Sequence, residues 1–123
     1  MQDYTFSKAY KRNHKKKLIL IVDDDKNIRF ILKTLFTKSN YQVETTGNLA
    51  GLHRLINNFT PDLIITDVKL PDGNFFNEFP DIKKQYPDLP IIIISAFSTL
   101  STAVKAVRHG AFEFISKPFD IKK

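Results

Sequence analysis

The chain has 123 residues, 42% hydrophobic and 26% charged, with no cysteine. That is enough for one domain with a real core, and it excludes a disulfide framework or a thiolate metal site. No apolar run approaches the ~20 residues that span a bilayer, and the net charge of +6 is unevenly spread.

The charge sits at the start. Residues 1–17 carry Lys8, Lys11, Arg12, Lys15, Lys16 and Lys17 against Asp3, a balance of +5. The other 106 residues carry 13 basic and 12 acidic groups, a balance of +1. Residues 1–16 are therefore expected to be a disordered basic tail, and a binding module that uses this tail on nucleic acid lacks an aromatic stacking pattern. Met1-Gln2-Asp3-Tyr4 lacks the apolar core of a signal peptide, so a cytoplasmic protein without a membrane partner is expected.

From Lys17 onward, strand-like and helix-like segments alternate. Leu18–Asp23 is a continuous apolar strand, the pattern of a strand covered on both faces. Ile28, Ile31, Leu32, Leu35 and Phe36 then fall on one face of a helix. Gln42–Thr46 is a weaker strand. Asn48 reads as an N-cap ahead of a stripe of Leu49, Leu52, Leu55, Ile56 and Phe59. Strand Leu63–Asp67 leads to the turn signal Leu70-Pro71-Asp72-Gly73. Phe75, Phe76, Phe79 and Ile82 have helical spacing, and Pro80 must kink that helix or restart it as a first-turn proline. Strand Ile91–Ser95 follows. Ser98 or Thr99 is expected to cap a fourth helix with Leu100, Ala103, Val104 and Val107 inward and Gly110 at its C′ position. Strand Phe112–Ser116 runs into Lys117-Pro118. The order is (βα)₄β, and Pro118-Phe119-Asp120-Ile121 opens a fifth helix that Lys123 leaves truncated, so a continuation of the protein is expected.

Acids, a hydroxyl and an ammonium all lie where buried strands end: Asp23, Asp24 and Asp25 after the first, Asp67 at the third, Ser95 at the fourth and Lys117 after the fifth. In an open parallel α/β sheet those ends share one crevice. This is the inventory for Mg²⁺-assisted phosphoryl transfer onto an aspartate. The motifs Val22-Asp23-Asp24-Asp25, Ile65-Thr66-Asp67 with Leu70-Pro71-Asp72-Gly73, Ile94-Ser95-Ala96 and Ser116-Lys117-Pro118-Phe119 resemble the response-regulator receiver domain over residues 17–123. Ala103-Val104, Gly110-Ala111-Phe112 and Lys117-Pro118-Phe119-Asp120 are most similar to receivers of the NtrC type.

The resemblance implies an α/β, flavodoxin-like (βα)₅ fold with a five-stranded parallel sheet in the order 2-1-3-4-5. It implies that Asp67 is the phosphoacceptor. Asp23, Asp24, Asp67 and the backbone carbonyl of Lys69 would hold Mg²⁺. Lys117, after which a cis peptide is implied, would pair with the phosphoryl group, Ser95 would donate to it, and Phe114 would be the aromatic switch partner of Ser95. Asp25 is assigned to helix capping, and His14, His53 and His109 to the surface.

The implied function is a phosphorylation-controlled switch that catalyses only its own phosphoryl transfer and dephosphorylation. The implied partners are a sensor histidine kinase and an output domain beyond Lys123, an ATPase with a DNA-binding domain in NtrC-type proteins, and the resemblance admits a homodimer. The enzyme alternative is a haloacid-dehalogenase-type phosphatase using Asp23 and Asp25, although the threonine expected after them is missing.

Overall fold

The computed structural model describes residues 12–96 and 99–118. Five strands, β1 (Leu18–Val22), β2 (Gln42–Thr46), β3 (Leu63–Asp67), β4 (Ile91–Ser95) and β5 (Glu113–Ser116), alternate with four helices. The helices are α1 (Lys26–Lys38), α2 (Leu49–Asn58), α3 (Phe79–Gln85) and α4 (Leu100–His109). All five strands are parallel, in the order β2-β1-β3-β4-β5, which is the flavodoxin-like order. From Phe119 on, the fifth helix expected to open at Pro118 lies outside the described residues, as do residues 1–11 and Ser98.

Strand residues point alternately to the two faces, and β1 is buried on both. Leu18, Leu20 and Val22 join Ile64, Ile91, Ile93, the α2 stripe and Phe75 and Phe79 in the larger core. Ile19 and Ile21 join Val43, Ile65, Ile94 and Leu32 of α1 in a smaller one. In α1 only the edge Ile28, Leu32 and Phe36 packs inward, and Ile31 and Leu35 are exposed. In α2 the whole expected stripe is buried, Phe59 included.

Pro80 restarts a helix as expected. A 3₁₀ turn over Phe75–Asn77 ends, and α3 begins with the proline in its first turn, where the missing N–H is no loss. In α4, Thr99 is the N-cap and Gly110, at φ 93°, the C-cap. The expected inward face is wrong: Leu100 is 81% and Val107 71% exposed, and Ala106 is buried instead. The C-terminal turn sets this rotation, because His109 stacks on Phe76 and Phe79, with ring centroids 5.2 and 5.5 Å apart. His109 is thus half-buried rather than a surface residue. His14 is exposed, and exposed His53 meets Glu78 at 2.7 Å.

Part of the basic segment is tied down. Arg12 pairs with Asp62 at 3.4 Å and donates to Gln42 Oε1 and to the carbonyls of Asn13 and Lys16. Asp62 also accepts from the Leu18 amide at 2.8 Å, so this network fixes the start of β1.

Gly51 marks the closest approach of α2 to the sheet. A Cβ there would stand 1.7 Å from Thr46 Oγ1 and 2.7 Å from Thr46 Cβ. Overpacking of this kind costs about 1–3 kcal/mol. Gly51→Ala is therefore expected to lower the urea unfolding midpoint, and Thr46→Ala in the same chain to recover part of it. A Gly51→Ala protein as stable as wild type would show that β2 and α2 separate freely.

Candidate functional site

The carboxyl ends of β1, β3, β4 and β5 converge on one group of side chains. Asp23 follows β1 and is fully buried, and Asp67 ends β3 at 7% exposure. Both positions follow from apolar strands whose register carries the polar residue to the rim. The Lys117 amide donates to the Ser95 carbonyl at 2.8 Å, which extends the β4–β5 ladder one residue past Ser116. The Lys117–Pro118 peptide bond is cis. From there Lys117 Nζ lies 2.8 Å from Asp23 Oδ2 and 2.8 Å from Asp67 Oδ2.

The remaining carboxylate oxygens are mostly held by backbone. Asp23 Oδ1 accepts from the Asp25 amide at 2.9 Å, and Asp67 Oδ1 from the Val68 amide at 2.6 Å. Asp23 Oδ2 is buried and accepts no well-directed hydrogen bond, the Lys117 ammonium being only an ionic neighbour. Burial pushes the Asp23 carboxyl up, and the neighbouring Lys117 ammonium and the Asp25 amide offset this only in part. Burial alone would lower the pKa of Lys117, but the two carboxylates of Asp23 and Asp67 beside it outweigh that and raise it.

Asp24 is exposed, and its carboxylate comes within 4.8 Å of ligand atoms of Asp23 and Asp67. These three side chains with Lys117 carry a formal charge of −2 when ionised, which a divalent cation neutralises. The hard oxygen set, and a buried Asp23 oxygen without a directed donor, fit a Mg²⁺-like ion. Lys69 is exposed and begins a small hairpin, Lys69–Leu70 against Gly73–Asn74. Ser95 is buried and borders a cavity of about 120 Å³ with Val68, Lys69, Asn74, Phe76, Ser101, Thr102 and Lys105. Phe114 is half-buried against the larger core.

Asp25 caps α1, its Oδ1 accepting from the amides of Asn27 and Ile28 at 2.8 and 3.4 Å. That removes it from the crevice and disfavours the phosphatase reading, which needs Asp23 and Asp25 together. Two neighbours escaped the sequence reading. Arg29 Nη1 donates to the Asp23 carbonyl at 2.6 Å, over Gly47, where a Cβ would stand 2.9 Å from that nitrogen. Its signal was the glycine after β2, which leaves room for a guanidinium. Asp72 caps α2 from outside, Oδ1 accepting from the Leu49 amide at 2.8 Å and Oδ2 from the Ala50 amide at 3.0 Å. These two bonds hold its carboxyl below the usual range. Contacts over more than twenty residues leave no local signal.

The sequence model of the response regulator receiver domain matches residues 19–123. The chain is 50% identical over 105 residues to the DNA-binding transcriptional regulator NtrC of Azospirillum brasilense, covering 85% of this chain and 22% of that protein. The HemR receiver domain of Leptospira biflexa, in its non-phosphorylated form, superposes with a TM-score of 0.82 at 34% identity, over 87% of this chain and 86% of that one. A beryllofluoride-activated NtrC4 receiver domain dimer gives 0.80 at 33%, over 85% and 87%. The chain thus spans about a fifth of the length of the curated NtrC relatives.

Because its folded pKa is raised, the Asp23 carboxyl favours the native state in acid, and that contribution is lost as pH rises through the raised value. Asp23→Asn is expected to be more stable than wild type at pH 7 without divalent cations, with the gain shrinking as pH falls through the raised value and gone once pH reaches the usual carboxylate range. Thermal melts from pH 3 to 8 check this. A variant less stable than wild type at every pH would mean that the Lys117 ion pair outweighs desolvation.

Proposed function

The chain belongs to the response-regulator receiver family, and we propose that within it Asp67 is the phosphoacceptor of a two-component switch. The observation that carries the assignment is a single ammonium, Lys117 Nζ, 2.8 Å from both a buried Asp23 and Asp67, with Asp24 alongside. Residues 17–123 form the receiver unit and residues 1–16 a basic tail of which Arg12–Lys16 is bound to the sheet.

Asp23, Asp24, Asp67 and the Lys69 carbonyl would hold Mg²⁺, which supplies charge neutralisation for an incoming phosphoryl group. The chain's own residues do the rest. The Val68 amide and the Lys117 ammonium fix the two oxygens of Asp67, so the carboxylate is oriented before it meets a donor. A carboxylate oxygen of Asp67 attacks phosphorus, the phosphorus–nitrogen bond of a phosphohistidine breaks, and an acyl phosphate results. Lys117 keeps its proton throughout, because its raised pKa lies far above neutral, and it follows the new negative charge.

Ser95 donates its hydroxyl to the phosphoryl oxygens. Drawing the segment after β4 inward opens room beside β5 for Phe114, which makes the pair a switch. The donor is a sensor histidine kinase, and the output is transcriptional, through an ATPase and a DNA-binding domain; the NtrC relatives' description as DNA-binding transcriptional regulators supports the DNA-binding part. The NtrC4 receiver, solved as a dimer, supports a homodimer here as well. The protein works in the cytoplasm, and none of the described helices is long and apolar enough to cross a membrane. It transfers phosphate to itself and turns over no exogenous substrate.

Incubation with acetyl phosphate and Mg²⁺, read by intact mass, is expected to add one phosphoryl group to wild type and none to Asp67→Asn. Asp24→Ala is expected to need far more Mg²⁺ for the same yield. A stable phosphoryl group on Asp67→Asn would sink the assignment, and steady release of phosphate from excess donor at enzyme-like rates would make the protein a phosphatase.

A further inference from the structure

We propose that Asp72 is a positioning residue for the metal-acid site, clamping the hairpin that carries the Lys69 carbonyl onto the N-terminus of α2. This rests on the metal site proposed above.

A helix leaves its first amides without internal partners. In α2 the first-turn amides of Leu49, Ala50 and Gly51 are divided between two caps. Asn48 Oδ1 accepts from the Gly51 amide at 2.7 Å, and the Asn48 carbonyl accepts from the Leu52 amide at 3.2 Å. The Leu49 and Ala50 amides go to Asp72, one to each oxygen. A local cap takes one or two such groups. Here a residue in another loop takes two, and using both oxygens fixes its orientation as well as its place.

That loop is short and stiff. Pro71 and Asp72 form the turn of the hairpin, in which Lys69 pairs with Asn74 and Leu70 with Gly73. The Phe75 amide closes it onto the Val68 carbonyl at 2.8 Å. Leu70 is buried in the same cluster as Leu49. A Cβ on Gly73 would stand 2.9 Å from Leu49 Cδ1, at a φ of +150°, so turn and helix meet without space for a side chain. At its other end the hairpin joins Val68, whose amide binds Asp67 Oδ1.

Asp72 therefore sets where the Lys69 carbonyl stands relative to Asp67 and Asp24, while touching none of the proposed ligands. Preorganised ligands lose less freedom on binding. Coupling of this kind is reciprocal, so occupancy of the site tightens the first turn of α2.

The test is a Mg²⁺ titration of the full chain, followed by amide NMR shifts, on wild type, Asp72→Ala, Asp72→Asn, Asn48→Ala and Asp24→Ala. Asn48→Ala removes the other cap of the same helix without touching the hairpin. Asp72→Ala is expected to weaken Mg²⁺ binding about five-fold or more, and Asp72→Asn, which keeps one acceptor oxygen, by less. Asn48→Ala is expected to lower the melting temperature while leaving Mg²⁺ affinity at the wild-type level. The Leu49 and Ala50 amides are expected to shift with Mg²⁺ in wild type and to stay still in Asp72→Ala. Wild-type affinity in Asp72→Ala, or an equal loss in Asn48→Ala, would overturn the proposal while the Asp24→Ala loss keeps the metal site standing. A wild type without Mg²⁺ affinity would overturn both.

Discussion

One ammonium group holds the rim of the sheet together. Lys117 Nζ spans the gap between the ends of β1 and β3 from a backbone that β4 and β5 position. Without it, two carboxylates with little or no exposure would face each other across a crevice. Removing the ammonium leaves uncompensated buried charge, which costs several kcal/mol, whereas removing Asp23 still leaves Lys117 paired with Asp67. The same contact leaves the site acidic, because one cation faces three carboxylates. The excess of carboxylates over ammonium favours a cation at this rim.

Most of this was legible in the sequence because the strands are short, apolar and buried on both faces. Such strands have sharp ends, and their ends carry the chemistry. β2, β3 and β4 match the expected bounds, and Asp23, Asp67, Ser95 and Lys117 come to one rim. The fifth-strand start is one residue late, since Phe112 is exposed and Glu113 begins the pairing.

What escaped has two physical causes. In α4, periodicity marks a stripe but not its direction. Leu100, Val104 and Val107 form a regular apolar row that faces outward, while Ala106 and the stacked His109 hold the small-residue face to the core. The row reads as core in sequence, and only the neighbouring Phe76 and Phe79 decide otherwise. The second cause is distance along the chain. Arg12 meets Asp62 fifty residues on, and Asp72 meets Leu49 and Ala50 from the next loop but one. Neither partner carries a motif that names the other.

The Arg12–Asp62–Gln42 network has an electrostatic consequence. It seats Arg12 and the residues that follow it at the amino ends of the strands, one whole strand away from the acid cluster. Five residues of β1 span about 16 Å, well beyond the ~8 Å screening length at physiological salt. The lysines just ahead of β1 therefore do little to soften the field at Asp23, Asp24 and Asp67. The net positive charge of the chain therefore says nothing about the sign of the ion that the carboxylates of Asp23, Asp24 and Asp67 attract.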